Sequence, residues 1–154
     1  MGMGYTVTDD AVAVTGAIDV VEGTVAADFP VFLQMLHVLQ TTDLGDAQEE
    51  VIRVGVMKGV TSGTGGTAAT ENPLNSSAFP TAQTALTTFR TTASTGGTRL
   101  DLFGWNIRIP TYWRPVPEDI PRIDSTDDPY SFRLLAAPAD SITMSCSHKW
   151  EEDG

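Results

Sequence analysis

Residues 141–150 read SITMSCSHKW, and this stretch decides the fold. Ile142, Met144, Cys146, His148 and Trp150 alternate with Ser, Thr and Lys. An extended strand points successive side chains to opposite faces, so a period of two buries one face and wets the other. The same alternation recurs upstream. In 51–60, VIRVGVMKGV, one face carries Ile52, Val54, Val56 and Val60, and the other Arg53, Gly55, Met57 and Gly59. In 99–109, RLDLFGWNIRI, Leu100 and Leu102 share one parity, and Phe103, Trp105, Ile107 and Ile109 the other. That change of phase predicts a β-bulge between Leu102 and Phe103. The pattern specifies an all-β domain, an antiparallel β-sandwich or barrel.

Between these segments the chain is less regular. Residues 30–41, PVFLQMLHVLQT, are apolar on both faces. Their β-branched and aromatic content favours a central strand over a helix, and the turn residues at 42–46 suggest a hairpin-like pair with 51–60. Residues 1–29 read as an acidic N-terminal extended arm, set apart from a sandwich over 30–154. Its Val12, Val14, Ile18 and Val20 alternate with small residues, so it is either an edge strand awaiting a neighbour or a loosely held terminus. Residues 61–98 hold one acid, Glu71, and one base, Arg90. Phe79, Leu86 and Phe89 are spaced to anchor this stretch as a loop, with a short helix conceivable over 80–89.

A chain of 154 residues is one domain by default, large enough to bury roughly 70% of its unfolded surface. The net charge of −11 repels phosphate backbones, which argues against nucleic acid and suits either solubility or docking on a basic surface. With no run of apolar residues long enough for a bilayer and no leader pattern, no membrane partner is expected. MGMGYT at the start and Asn75-Ser76-Ser77 match acylation and glycosylation patterns by spelling alone. The lone Cys146 reads as a small core hydrophobe, His37 as a satisfied buried histidine, and the acidic run 124–128 as a solvated turn. With no nucleophile elbow and no zinc-helix motif, the expectation is a protein without catalytic residues, metal or cofactor.

Candidate binding residues come from three places. Tyr112, Trp113 and Arg114 lie in a proline-rich stretch, as an exposed interface cluster or as a loop capping the core. Gly55 and Gly59 leave room on one strand face for a neighbour to approach, or mark a twisted strand. Asp9, Asp10 and Asp28 are the arm's acids. The glycines, the low-charge loop and the thin arm together predict self-association, with a homotrimer preferred.

In layout the chain resembles the small jelly-roll decoration (cement) proteins of tailed-bacteriophage capsids. The likeness covers roughly residues 30–150: a dense apolar strand, the Ile52-Arg53-Val54-Gly55-Val56 strand, a Thr/Ala/Gly-rich loop, an aromatic proline-rich return and a final strand. The arm is longer and more acidic than that layout requires. The resemblance implies a β-sandwich of jelly-roll type and a virion structural protein, assembled in the host cytoplasm. It would sit as a trimer on the capsid surface, bind the major capsid protein shell and stabilise contacts between capsomers. An alternative is a carbohydrate- or receptor-binding module of a phage tail or fibre, with Tyr112 and Trp113 as a stacking platform. A tail or baseplate structural protein is a third reading.

Overall fold

The computed structural model describes residues 2–41, 50–75 and 85–153. The strands are β1 (Met3–Val14), β2 (Asp19–Thr24), β3 (Val31–Gln40), β4 (Val51–Lys58), β5 (Thr67–Ala68) and β6 (Asn72–Pro73). They continue with β7 (Ala85–Thr88), β8 (Thr98–Asn106), β9 (Thr111–Trp113), β10 (Arg122–Ile123), β11 (Tyr130–Leu134) and β12 (Ile142–Glu152). A single 3-10 turn spans Pro117–Asp119 among the described residues. Two antiparallel sheets pack face to face as the alternation requires, one ordered β10-β3-β12-β1-β6 with β9 also on β3, the other β5-β7-β2-β11-β4-β8.

The core lies between them. Ile142, Met144, Cys146, His148 and Trp150 all point inward from β12, and Ile52, Val54 and Val56 from β4. Within the first sheet Trp150 stacks on Tyr5 at 5.8 Å and on His148 at 5.3 Å, and between the sheets Phe132 meets Trp113 and His148 edge-on, each at 5.1 Å. Trp105 and Trp150 are 0% and 1% exposed. Replacing either by Ala is expected to cost about 3–5 kcal/mol. An unchanged melting temperature in both variants would contradict the strand phases.

Residues 3–24 are not an arm outside the sandwich. β1 pairs with β12 over most of its length, and β2 pairs with both β7 and β11 inside the second sheet. Small Val and Ala side chains suffice there because Tyr5, Val7, Val14, Ile18, Val20 and Val21 fill the space between the sheets. β3 and β4 form no hairpin either: β3 lies in the first sheet beside β12, and β4 in the second between β11 and β8. The turn expected at 42–46 lies outside the described residues. β3 carries a bulge at Gln34, where its pairing with β12 skips from Leu33 to Met35. Leu33 and Leu36 thus both face inward.

The Thr-rich stretch has an order of its own. Residues 61–67, TSGTGGT, and 92–98, TASTGGT, are near-copies. Each leaves a strand of the second sheet and enters a strand at the far side of that sheet, so β4 leads to β5 and β7 leads to β8. The two crossovers run antiparallel over the sheet and bond reciprocally. Thr61 N–H donates to the Thr95 carbonyl at 2.9 Å and Thr95 N–H to the Thr61 carbonyl at 3.0 Å, and Thr64 and Thr92 exchange two bonds of 3.2 Å. Both copies end in paired glycines with left-handed backbone, φ +69 and +90 at Gly65 and Gly66, +63 and +82 at Gly96 and Gly97. A Cβ on Gly66 would sit 2.7 Å from the Thr88 carbonyl, and one on Gly97 2.7 Å from the Lys58 carbonyl. Gly97→Ala should therefore destabilise by about 1–3 kcal/mol. A denaturation midpoint equal to that of the parent would show that the turn relaxes freely. The helix expected over 80–89 is not formed in its described part, where Ala85–Thr88 is strand β7.

Candidate functional site

The crossovers are fastened by buried charge. Asp19 and Glu22, on the outer face of β2, are 0% and 2% exposed beneath them. Asp19 accepts hydrogen bonds from Ser94 N–H and, at 2.8 Å, from the Ser94 hydroxyl, and Arg133 lies 3.6 Å away. Arg133 also donates to the Ser94 oxygen at 2.8 Å. Glu22 pairs with Arg90 at 2.8 Å and accepts Gly63 N–H at 2.9 Å. Burial pushes the Asp19 carboxyl above its ordinary value, against the hydrogen bonds from Ser94 and Ser131 and the Arg133 charge, which pull it down. Ser94 is held by the Asp19 carboxylate and the Arg133 guanidinium, with the Ser131 hydroxyl 3.1 Å away, so the cluster ties the 92–98 crossover to β2 and β11.

The two histidines have different surroundings. His148 is fully buried, with Nδ1–H donating to the Met35 carbonyl at 2.9 Å and Nε2 accepting from the Tyr130 hydroxyl at 3.1 Å. Because a carbonyl only accepts, the neutral Nδ1–H tautomer is the one that satisfies both partners. Burial lowers the His148 pKa to about 4. The unfolded chain therefore binds the extra proton first, and stability contributed by neutral His148 is complete above pH about 6.5 and lost as pH falls toward 4. Asp19 acts in the opposite sense, since its raised pKa makes protonation easier in the folded state. Melting curves of the parent and His148→Phe between pH 7 and about 4 isolate the first effect: the parent should lose stability more steeply. Parallel slopes would contradict it.

His37 lies on the outer face of the first sheet, stacked on Tyr112 at 4.0 Å, with Nε2 shielded and no hydrogen-bond partner among the described residues. Its expected status as a satisfied core histidine is thus corrected. Burial lowers its pKa. Cys146 is buried and its thiol is pushed up to about 12, so it stays protonated and packs as a hydrophobe. Among the described residues no cluster of His, Cys, Asp and Glu has a metal-binding arrangement.

The candidate binding residues do not converge. Asp10 and Ala11 form the bulge of β1, directly after Asp9; Asp9 accepts the Thr88 hydroxyl of the other sheet at 2.6 Å and Asp10 accepts the Ser145 hydroxyl. Asp28 is exposed in the turn between β2 and β3. Gly55 is not an open patch: Met57, Leu135 and Arg99 come within 3.2–3.6 Å of where its Cβ would be. Gly59 has φ +62 and serves the turn after β4, its N–H donating to the Asp127 carbonyl at 2.6 Å. Tyr112 and Trp113 point to opposite faces of β9, Tyr112 63% exposed and Trp113 5%. They form no joint stacking platform, and Trp113 belongs to the core. Arg114 is exposed.

The surface that stands out runs along β8, the edge of the second sheet. Of the large hydrophobic side chains left exposed, Val51, Leu100, Leu102, Ile109 and Val116 lie on β8, on its neighbour β4, or on the segment following β8. Arg53 and Arg99 are exposed on the outer face here, and with Arg114 they have no salt bridge among the described residues. Lys58, Arg90, Arg122 and Arg133 are each paired with an acid of the chain. Beside the edge a groove of about 580 Å³ opens between the two sheets, lined by Leu100, Asp101, Trp113, Arg114 and Val116 among others. Asp101 spans it, accepting Leu102 N–H at 2.7 Å and Trp113 Nε1–H at 2.7 Å.

Set beside known protein families, curated proteins and solved structures, the chain matches none. The β8 surface was missed at the level of sequence because Leu100 and Leu102 look like core residues. They are 38% and 42% exposed: Leu102 is turned to the outer face opposite Gly55, and Leu100 is the bulge residue that lines the groove. The bulge of this strand falls at Leu100, where pairing steps from Asp101 to Arg99, and not between Leu102 and Phe103. Ile109, expected inward, is 58% exposed in the turn that follows.

Proposed function

We propose that this protein is a virion structural component, a decoration protein that docks on the outer shell of a tailed-phage capsid through its β8 face. The observation that supports docking is the coincidence, along a strand edge that no other strand covers among the described residues, of exposed aliphatic side chains and arginines with no salt bridge among those residues, in a chain of net charge −11. Isolated exposed leucines are ordinary, but a cluster beside a groove is interaction chemistry. Decoration of a phage shell rests on the resemblance in layout, and the major capsid protein is the partner that resemblance names.

The interface differs from the one expected. Asp9 and Asp10 serve the fold of β1, so the arginine-bearing edge replaces the acidic arm as the docking element. Of the surfaces that motivated a homotrimer, β1 and β2 are paired within the chain, the crossovers lie on their own sheet and Gly55 is covered, whereas Gly59 is open. The proposal therefore stands on the β8 face and not on self-association. The sugar-binding alternative loses its platform, since Tyr112 and Trp113 diverge. Purified protein is mixed with undecorated shells assembled from the major capsid protein of the same genome and then sedimented. It is expected to pellet at a saturable ratio. Protein that stays in the supernatant at every ratio overturns the proposal.

A further inference from the structure

We infer that the β8 edge takes up its partner by strand addition, accepting an extended segment of another protein whose side chains alternate acidic and apolar. This inference rests on the β8 face being the docking surface. The backbone geometry supports it directly. Ile107 N–H donates to the Glu50 carbonyl, which continues the ladder between β8 and β4 and turns Phe103, Trp105 and Ile107 toward β4. Leu102, Gly104 and Asn106 then direct their N–H and C=O groups outward. Leu102 N–H is taken by Asp101 and the Asn106 carbonyl by Ile109 N–H; the Leu102 carbonyl and both backbone groups of Gly104 have no partner among the described residues and face an incoming strand.

The two faces of an added strand meet different chemistry. On the outer face lie Arg53 and Arg99 with Leu102 between them, and Gly104, opposite Arg53, places no side chain between that arginine and the edge. On the other face the groove of about 580 Å³ presents Leu100, Val116 and the edge of Trp113, with the charged Asp101, Arg114, Asp119 and Arg122 along its walls. Acidic side chains on one face and apolar side chains on the other therefore satisfy both at once. β8 carries no acidic residue on its outer face, where Arg99, Leu102, Gly104 and Asn106 lie, so a second copy paired through β8 offers Arg53 and Arg99 no counter-charge and the occupant is a different chain. The Asp101 bond to Leu102 N–H blocks part of the edge in the free protein, a common protection against uncontrolled pairing.

The test uses the intact, isotope-labelled protein and a soluble peptide of about eight residues alternating valine and glutamate, long enough to span the edge. A valine–lysine peptide of equal length is the control. The glutamate peptide is expected to shift the Gly104 amide and to bind at least about tenfold more tightly than the control, less so as salt rises. Arg53→Glu with Arg99→Glu should reverse the preference. Gly104→Pro, which removes the outward N–H at an edge where proline is tolerated, should abolish binding if its melting curve shows it folded. Equal binding of the two peptides, or no shift at Gly104, overturns the inference. Pelleting with shells alongside an unshifted Gly104 refutes strand addition and leaves the docking proposal standing. A shifted Gly104 without pelleting supports strand addition and refutes the shell as partner.

Discussion

Deletion of residues 1–28 is expected to abolish folding. β1 lies between β12 and β6, and β2 between β7 and β11, so the deletion removes an interior strand from each sheet. Tyr5, Val7, Val14, Ile18, Val20 and Val21 leave the core with it. At about 1.5–3 kcal/mol for each buried apolar side chain the loss is on the order of 10 kcal/mol, comparable to the whole stability of a domain this size. Asp19 and Glu22 leave as well, which strands Arg133 and Arg90 beneath the crossovers. Circular dichroism with a thermal melt should show no cooperative transition. A truncated protein that melts near the temperature of the parent would show that the first strands are peripheral.

The second large effect is expected at Asp19. Its carboxylate is inaccessible to solvent and balances Arg133, whose side chain is 14% exposed, while holding both polar groups of Ser94. Removing one member of a buried pair leaves the other charge uncompensated, at a cost of about 3–5 kcal/mol. Asp19→Ala should therefore lose stability on that scale and expose residues 92–97 to protease. Asp19→Asn, which retains an acceptor for Ser94 N–H, should lose less. If Asp19→Ala melts like the parent and resists cleavage, the crossovers are held by their own ladder and not by the charges beneath.

Much of the core was legible, because alternation reports burial wherever one strand face is wet. Ile52, Val54, Val56, Trp105 and Trp150 follow from period two alone, and each is buried. The same logic fails where both faces are apolar. Residues 31–40 give no phase, so the Gln34 bulge and the separation of β3 from β4 into different sheets were not readable there. β1 and β2 were undervalued because small residues make a weak hydrophobic signal. Their burial comes from interior places in the sheets, which depend on partners far along the chain.

The crossovers lacked any apolar period because they are held by glycine-permitted close approach and by buried ions. Their signal was the repetition of TSGTGGT as TASTGGT, visible on comparing the chain with itself. Trp113 was misjudged for a different reason: three residues of β9 between prolines are too few to show an alternation. The candidate docking surface was the least legible part. It is assembled from the turned-out residues of β4 and β8 and the segment after β9, and neighbourhood across an edge leaves no pattern in the chain.

The claim at the centre of this account is that the β8 face does the docking. The most direct measurement is sedimentation of Arg53→Glu/Arg99→Glu with undecorated shells beside the parent, with melting curves to show that both are folded. The account predicts a parent-like melt and a collapse of shell occupancy, since both arginines are exposed and carry no internal salt bridge among the described residues. Full occupancy by the charge-reversed protein would contradict it and place the interface elsewhere on the sandwich.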